Sequence, residues 1–243
     1  MTTRRILATS GGFLPTERYE AAAPGRTVLE VLRLTGKQRP RLLLVLTASG
    51  DDGPRLARYY QALSGLSVDV DHLSLFTMPN QPVEEAVGRA DAVWVGGGSV
   101  ANLLALWRLH GVDVALRDAW ESGTVLAGVS AGSICWHVGG PTDSFGPTLR
   151  LHKPALGLLP YGNGVHYDSE EQRRPLLQSL VASGELPLSY ATDDRVGILY
   201  EGEEPVEVVT DVDVDPLAGP AAYRVERDGD RVVETRLAPG RID

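Results

Sequence analysis

The chain has 243 residues, 43% hydrophobic and 23% charged, with a formal net charge of −9. This is enough apolar material for a sizeable core and lies far from the composition of disordered chains. The acidic balance, with no Lys/Arg run, excludes the basic footprint of a nucleic-acid binder and disfavours anionic membrane surfaces. A single cysteine, Cys135, rules out an internal disulfide, and no Cys/His cluster has zinc spacing. The apolar run after Met-Thr-Thr-Arg-Arg is too short for a signal-peptide core, and no stretch approaches a membrane span, so a cytoplasmic location is expected.

Residues 6–9 read as a short buried strand stopped at Ser10-Gly11-Gly12, and residues 26–34 have helical spacing. Residues 41–47 carry Leu-Leu-Leu-Val-Leu, the continuous apolar run of a parallel strand covered on both faces. Asp51 or Asp52 is placed to cap a helix running to Leu63. Residues 66–75 alternate as a strand and residues 83–89 form a short helix. Residues 90–95 form a buried strand that ends at Gly96-Gly97-Gly98. Helices follow over 100–107 and 112–121, then a strand over 124–127 that runs into Gly128-Val129-Ser130-Ala131-Gly132 and a further helix. This alternation predicts an α/β fold, a mostly parallel sheet flanked by helices on both faces. Residues 139–160, rich in Gly and Pro, read as a long ordered loop, and residues 169–182 as a helix. From Tyr190 onward short strands turn at Glu201-Gly202 and Asp228-Gly229. The expectation is one domain over residues 1–243 with antiparallel strands near the C-terminus.

Gly128–Gly132 fits G-x-S-x-G at a strand-to-helix junction. A turn this tight needs small neighbours around the serine, exposes its Oγ at the carboxyl edge of the sheet, and sets the Ala131 amide where it can donate to an oxyanion. The alternative is a packing turn with an idle serine. Gly96-Gly97-Gly98-Ser99 lies in the same strand-to-helix context. It serves as a second oxyanion donor, a weak phosphate cradle without the P-loop lysine, or a tight turn alone. A serine nucleophile requires a base. His72 and His110 fit structural roles, and His137 should lie two turns beyond Ser130 on one helix. His152 and His166 remain, with His166 preferred because it follows loop glycines and precedes a helix. Asp168, Glu170, Asp193 and Asp194 are the acids available to orient it.

Taken together, Val95-Gly96-Gly97-Gly98, the Gly128–Gly132 turn, Gly157-Leu158-Leu159-Pro160 leading to His166, and Glu171-Gln172-Arg173 resemble peptidase E, the aspartyl dipeptidases. That family is itself similar to cyanophycinases. The likeness runs from the first strand to about Gly202. It implies a class I glutamine amidotransferase-like fold with flavodoxin-like layers, and a serine-type peptidase without metal or organic cofactor. It also implies a triad of Ser130, His166 and Asp194, with Asp193 as the rival acid, and oxyanion donors at Ala131 and Gly98. Three positions depart from the family: Ser99 stands where Asn is usual, Asp194 where Glu is usual, and Glu170 where an arginine is expected to meet a substrate aspartate. Ser99 and Arg173 then become the expected substrate contacts, with Arg195 as an alternative cation.

The expected partner is a short peptide substrate, with no nucleic acid and no membrane. An apolar edge near the C-terminal strands is the expected homodimer surface. The competing readings are a Cys135-dependent amidotransferase-like enzyme, a cyanophycinase-like peptidase, and a non-catalytic binding protein on the same fold.

Overall fold

The apolar runs become the middle strands of one large sheet. The computed structural model describes residues 3–213, 215 and 217–242. The chain opens with β1 (Arg5–Thr9), a hairpin of β2 (Phe13–Pro15) and β3 (Ala22–Pro24), and α1 (Arg26–Leu34). Next come β4 (Arg41–Val45), a 3₁₀ turn at Thr47–Ser49, α2 (Gly53–Leu63), β5 (Asp69–Leu73), α3 (Val83–Gly88) and β6 (Ala92–Val95). Helices α4 (Val100–His110) and α5 (Val112–Ser122) lead to β7 (Val125–Val129) and α6 (Ala131–Ile134). Three short strands follow, β8 (Gly140–Thr142), β9 (Arg150–His152) and β10 (Gly162–Gly164), then α7 (Arg173–Ala182). The chain ends with β11 (Ser189–Thr192), β12 (Val196–Glu201), β13 (Glu204–Thr210), β14 (Ala222–Asp228), β15 (Arg231–Leu237) and β16 (Gly240–Arg241).

The main sheet has the order β16-β13-β12-β1-β7-β6-β4-β5. From β1 to β5 its neighbours are parallel, and β12, β13 and β16 add an antiparallel flank. Because side chains alternate along a strand, Leu43 and Val45 of β4 join one core with Leu103, Trp107 and Trp120 of α4 and α5. Leu42 and Leu44 join the other with Val28 and Val31 of α1. Both faces are covered, which explains the unbroken apolar run of β4. A second sheet, β10-β11-β14-β15, packs against α7 through Leu177, Leu180, Ala191 and Val225.

The structure corrects the expected elements in three places. The helix after Ser130 is only the four residues of α6, so His137 is not on it. His137 lies fully buried beyond α6, with its Nδ1 2.9 Å from the Ser133 carbonyl oxygen. The expected loop over 139–160 contains the antiparallel pair β8–β9. The helix expected from residue 169 begins at Arg173, after a turn. Asp52 is the cap of α2, its Oδ1 accepting the Arg55 N–H at 3.0 Å. Asp51 instead accepts the N–H groups of Leu75 and Phe76.

Candidate active site

The carboxyl ends of β1, β7 and β6 meet at Ser130. Its backbone is strained, with φ 58° and ψ −115°, a conformation costly for a non-glycine residue. Two observations explain how it persists. The Ser130 N–H donates to the Thr9 carbonyl at 3.0 Å, and the Ser130 carbonyl accepts the N–H groups of Ser133 (2.8 Å) and Ile134 (3.0 Å). Neither neighbouring glycine has room for a side chain: a Cβ on Gly128 would run into the Gly132 carbonyl, and one on Gly132 into the Val95 carbonyl. The G-x-S-x-G spacing is thus a steric requirement of three crossing backbones. The turn holds Oγ at the sheet edge, where it makes no hydrogen bond among the described residues. The Ala131 N–H likewise has no partner among them. With α6 so short, any pull on an oxyanion would come from that N–H itself more than from a helix dipole.

His166 and Asp194 arrive at the same edge from the second sheet. His166 follows β10, again with a positive φ of 52°, and its Nδ1 lies 2.6 Å from Asp194 Oδ1. A carboxylate at that distance favours the tautomer with the proton on Nδ1, leaving Nε2 to act as a base. Asp193, one residue earlier, is 4% exposed. It accepts the Ala221 N–H at 2.9 Å and the Tyr223 hydroxyl at 3.1 Å. Burial pushes the Asp193 carboxyl above its ordinary range. Asp168 supports the pair from below: its Oδ1 accepts the Asp194 N–H at 2.8 Å.

Ser10 joins the two halves, a role that the sequence reading missed. It directly follows Thr9, whose carbonyl holds Ser130. Its Oγ accepts the His166 N–H at 3.0 Å and lies 2.7 Å from Thr192 Oγ1. A polar residue at the carboxyl end of a buried strand was the available signal. Asp211 was also missed. From the end of β13 it accepts the N–H groups of Gly12 and Thr27 at 2.6 and 2.8 Å, and the Thr27 hydroxyl at 2.7 Å, fastening the loop after Ser10 to the start of α1.

The remaining candidates fall elsewhere. Ser99 caps α4, its Oγ accepting the Asn102 N–H at 3.2 Å. Asn and Ser cap equally well, so the departure at this position preserves a helix start. Arg173 does not face the cleft as expected for a substrate contact. It is 2% exposed, paired with Glu170 at 2.6 Å and bonded to the Pro141 carbonyl. Gln172 bonds the Leu149 N–H and the Pro147 carbonyl, so the Gln-Arg pair fastens residues 141–149 onto α7. Arg195, directly after Asp194, is exposed and its guanidinium has no partner among the described residues. His152 lies on β9 with its ring against Phe145. His72 bonds Tyr60 on the outermost parallel strand. Cys135 is buried, and burial pushes its thiol well up. No group of three His, Cys, Asp or Glu among the described residues is placed to hold a metal ion.

Two cavities bear on the site differently. One of about 450 Å³ lies at the amino ends of β4 and β5, beside Arg41 and Asp69, opposite the edge that holds Ser130. The other, about 490 Å³, lies between the β2–β3 hairpin and α2, lined by Phe13, Tyr19, Arg55, Arg58 and Tyr59. It adjoins the Ser130 edge, because Arg55 also reaches the Gly97 carbonyl at 3.1 Å.

Residues 6–208 match peptidase family S51. The chain belongs to peptidase family S51. It is therefore a peptidase, serine-type by family. Among its relatives, the uncharacterized peptidase YgaJ of Bacillus subtilis (strain 168) is 36% identical over 224 residues, 91% of this chain and 92% of that protein. Peptidase E of Shewanella denitrificans is 29% identical over 115 residues, 47% of each chain. The S51 fold is shared with solved structures. A peptidase from an acI-B1 actinobacterium superposes with a TM-score of 0.71 at 16% identity, covering 98% of this chain and 95% of that one. A putative peptidase E from Listeria monocytogenes EGD-e gives 0.61 at 17%, covering 86% and 99%. No helix among the described residues of this S51 chain is long and apolar enough to cross a membrane.

Proposed function

We propose that this chain is a serine exopeptidase that hydrolyses short peptides, Asp-X dipeptides among them, through Ser130, His166 and Asp194. The observation that carries the reading is the 2.6 Å His166–Asp194 pair, tied through Ser10 and Thr9 to the strained turn at Ser130. In the proposed reaction, Oγ attacks the peptide carbonyl carbon as its proton passes to His166 Nε2. The oxyanion takes hydrogen bonds from the Ala131 and Gly98 amides. His166 then protonates the leaving amine, the C–N bond breaks, and an acyl ester remains on Ser130. Water attacks that ester, gives its proton to His166, and releases the acid as Oγ regains a proton. These groups carry the reaction without a metal or organic cofactor. With Arg173 committed to Glu170, Arg195 is the cation proposed for a substrate carboxylate, with Arg58 of the adjoining cleft as a second.

The test is a panel of dipeptides with free amino termini, Asp-X against Arg-X, Lys-X and neutral X, run on wild type and Ser130→Ala in parallel. Serine-dependent cleavage of Asp-X supports the full reading. Serine-dependent cleavage confined to another class keeps the mechanism and overturns the specificity. No serine-dependent cleavage, together with no labelling of Ser130 by a fluorophosphonate, overturns the reading.

A further inference from the structure

The loop after β6 holds a peptide bond between two glycines, Gly97 and Gly98, beside the nucleophile. A Cβ built on Gly97 would lie 3.1 Å from Ser130 Cβ and 3.6 Å from its Oγ. Gly98 has φ +142°, and a Cβ there would strike the Ala48 carbonyl, so no other residue fits. Glycine on both sides gives such a peptide little conformational preference of its own, and the amide plane can turn over unless something holds it.

Arg55 holds it. Its Nη1 donates to the Gly97 carbonyl at 3.1 Å. The arginine is itself placed by the start of α2: its backbone N–H bonds Asp52 Oδ1 at 3.0 Å, and its Nε lies 3.8 Å from Asp52 Oδ2. In a planar trans peptide the carbonyl of one residue and the N–H of the next point in opposite directions. The strands here run β7-β6-β4. Gly97, just past the end of β6, borders Ser130 at the end of β7, while Gly98 lies against Ala48 beyond β4, and the Gly97 carbonyl faces Arg55 of α2. The Gly98 N–H therefore points away from Arg55, in a peptide that borders Ser130. That N–H has no partner among the described residues.

We infer that Arg55 is a positioning residue: it fixes the 97–98 peptide so that the Gly98 N–H is preset as an oxyanion donor. The inference rests on the proposed acyl transfer at Ser130. A charged donor on a carbonyl makes one of the stronger hydrogen bonds, enough to decide between two faces of a Gly-Gly peptide.

The experiment uses the full chain and whichever dipeptide wild type cleaves, comparing Arg55→Ala, Arg55→Gln and wild type. The expected result is a loss of kcat of roughly tenfold to a hundredfold in Arg55→Ala with KM within about twofold, since a donor acting on the oxyanion is used mainly in the transition state. Affinity for a peptide aldehyde, whose serine adduct carries the oxyanion, should fall in the same proportion. Arg55→Gln, which keeps a shorter neutral donor, should recover part of kcat. A thermal midpoint checks that each variant folds. If Arg55→Ala does not fold, the kcat and aldehyde affinity of Arg55→Gln against wild type decide the question. An active wild type with unchanged kcat and aldehyde affinity in the folded variants overturns the role of Arg55 alone. A wild type with no serine-dependent cleavage overturns the underlying reading instead.

Discussion

Asp193 and Asp194 are adjacent in the chain and take different partners: Asp194 Oδ1 lies 2.6 Å from His166 Nδ1, whereas Asp193 Oδ2 accepts the Ala221 N–H and the Tyr223 hydroxyl. The two alanine variants should therefore separate. Asp194→Ala removes the group that orients the imidazole and should cost roughly a thousandfold or more in kcat with little change in thermal midpoint. Asp193→Ala strands two buried donors and should destabilise by about 1–3 kcal/mol while leaving most of the activity per folded molecule. Parallel kinetics and thermal melts read both effects. A large kcat loss in Asp193→Ala with Asp194→Ala near wild type would reverse the assignment.

Ser10→Ala tests the strap between the halves of the site. Without the hydroxyl, the His166 N–H loses its acceptor and the strained His166 backbone loses a restraint. Small displacements of a base are costly to rate, so kcat should fall by roughly tenfold with KM nearly constant. Labelling of Ser130 by a fluorophosphonate should slow in step. Unchanged labelling would show that Thr192 and Tyr167, which also bond to each other through the backbone, hold His166 unaided.

How far the sequence could be read follows from which forces act locally. The bounds of α1 match its apolar spacing, and the both-face burial of β4 follows from its leucines. Ser130 was legible because the turn's steric demand falls on neighbours in sequence, Gly128 and Gly132. The β8–β9 pair was not legible, since two strands of three residues, one of them Gly-Pro-Thr, leave no period to detect. The choice between Asp193 and Asp194 was open for a similar reason. It depends on a turn in which Arg195 has φ 67°, and on partners some 30 residues distant. Ser10 and Arg55 act through contacts 156 and 42 residues away, beyond any local pattern.

The buried Arg173 makes a prediction opposite to a substrate contact. Arg173→Leu leaves the Pro141 carbonyl without its donor and frees the half-exposed Glu170. The expected cost is about 2 kcal/mol of stability, measured by urea unfolding, with KM for the dipeptide unchanged. A selective rise in KM for acidic substrates without loss of stability would return Arg173 to the binding site.

Cys135 should be inert in the folded protein. Burial holds its thiol protonated, and alkylating reagents attack the thiolate. Iodoacetamide should leave the native chain unmodified and fully active, and should modify Cys135 once denaturant is added. Inactivation of the native chain with stoichiometric alkylation would revive a thiol-dependent mechanism.

His137 sets a pH dependence of stability that is separate from activity. Burial lowers it from 6.5 to about 4, with its Nδ1 against the Ser133 carbonyl and its Nε2 3.5 Å from the Tyr200 hydroxyl. Between these two values the unfolded chain binds a proton that the folded chain does not, so stability rises with pH across that window. The contribution is fully present above about pH 6.5 and is lost as pH falls toward 4, to a limit of about 3 kcal/mol. Asp193, raised in the folded state, works in the opposite direction, being most favourable to folding at low pH. Total stability therefore mixes the two, and the comparison must be against a variant. His137→Gln keeps a polar side chain and removes the titration. Urea unfolding at pH 4.5, 5.5 and 7 should show a shallower pH slope in the variant than in wild type, the gap in slope disappearing above pH 7. Equal slopes would mean that His137 is protonated in the folded core, with the Ser133 carbonyl and Tyr200 hydroxyl together stabilising the cation.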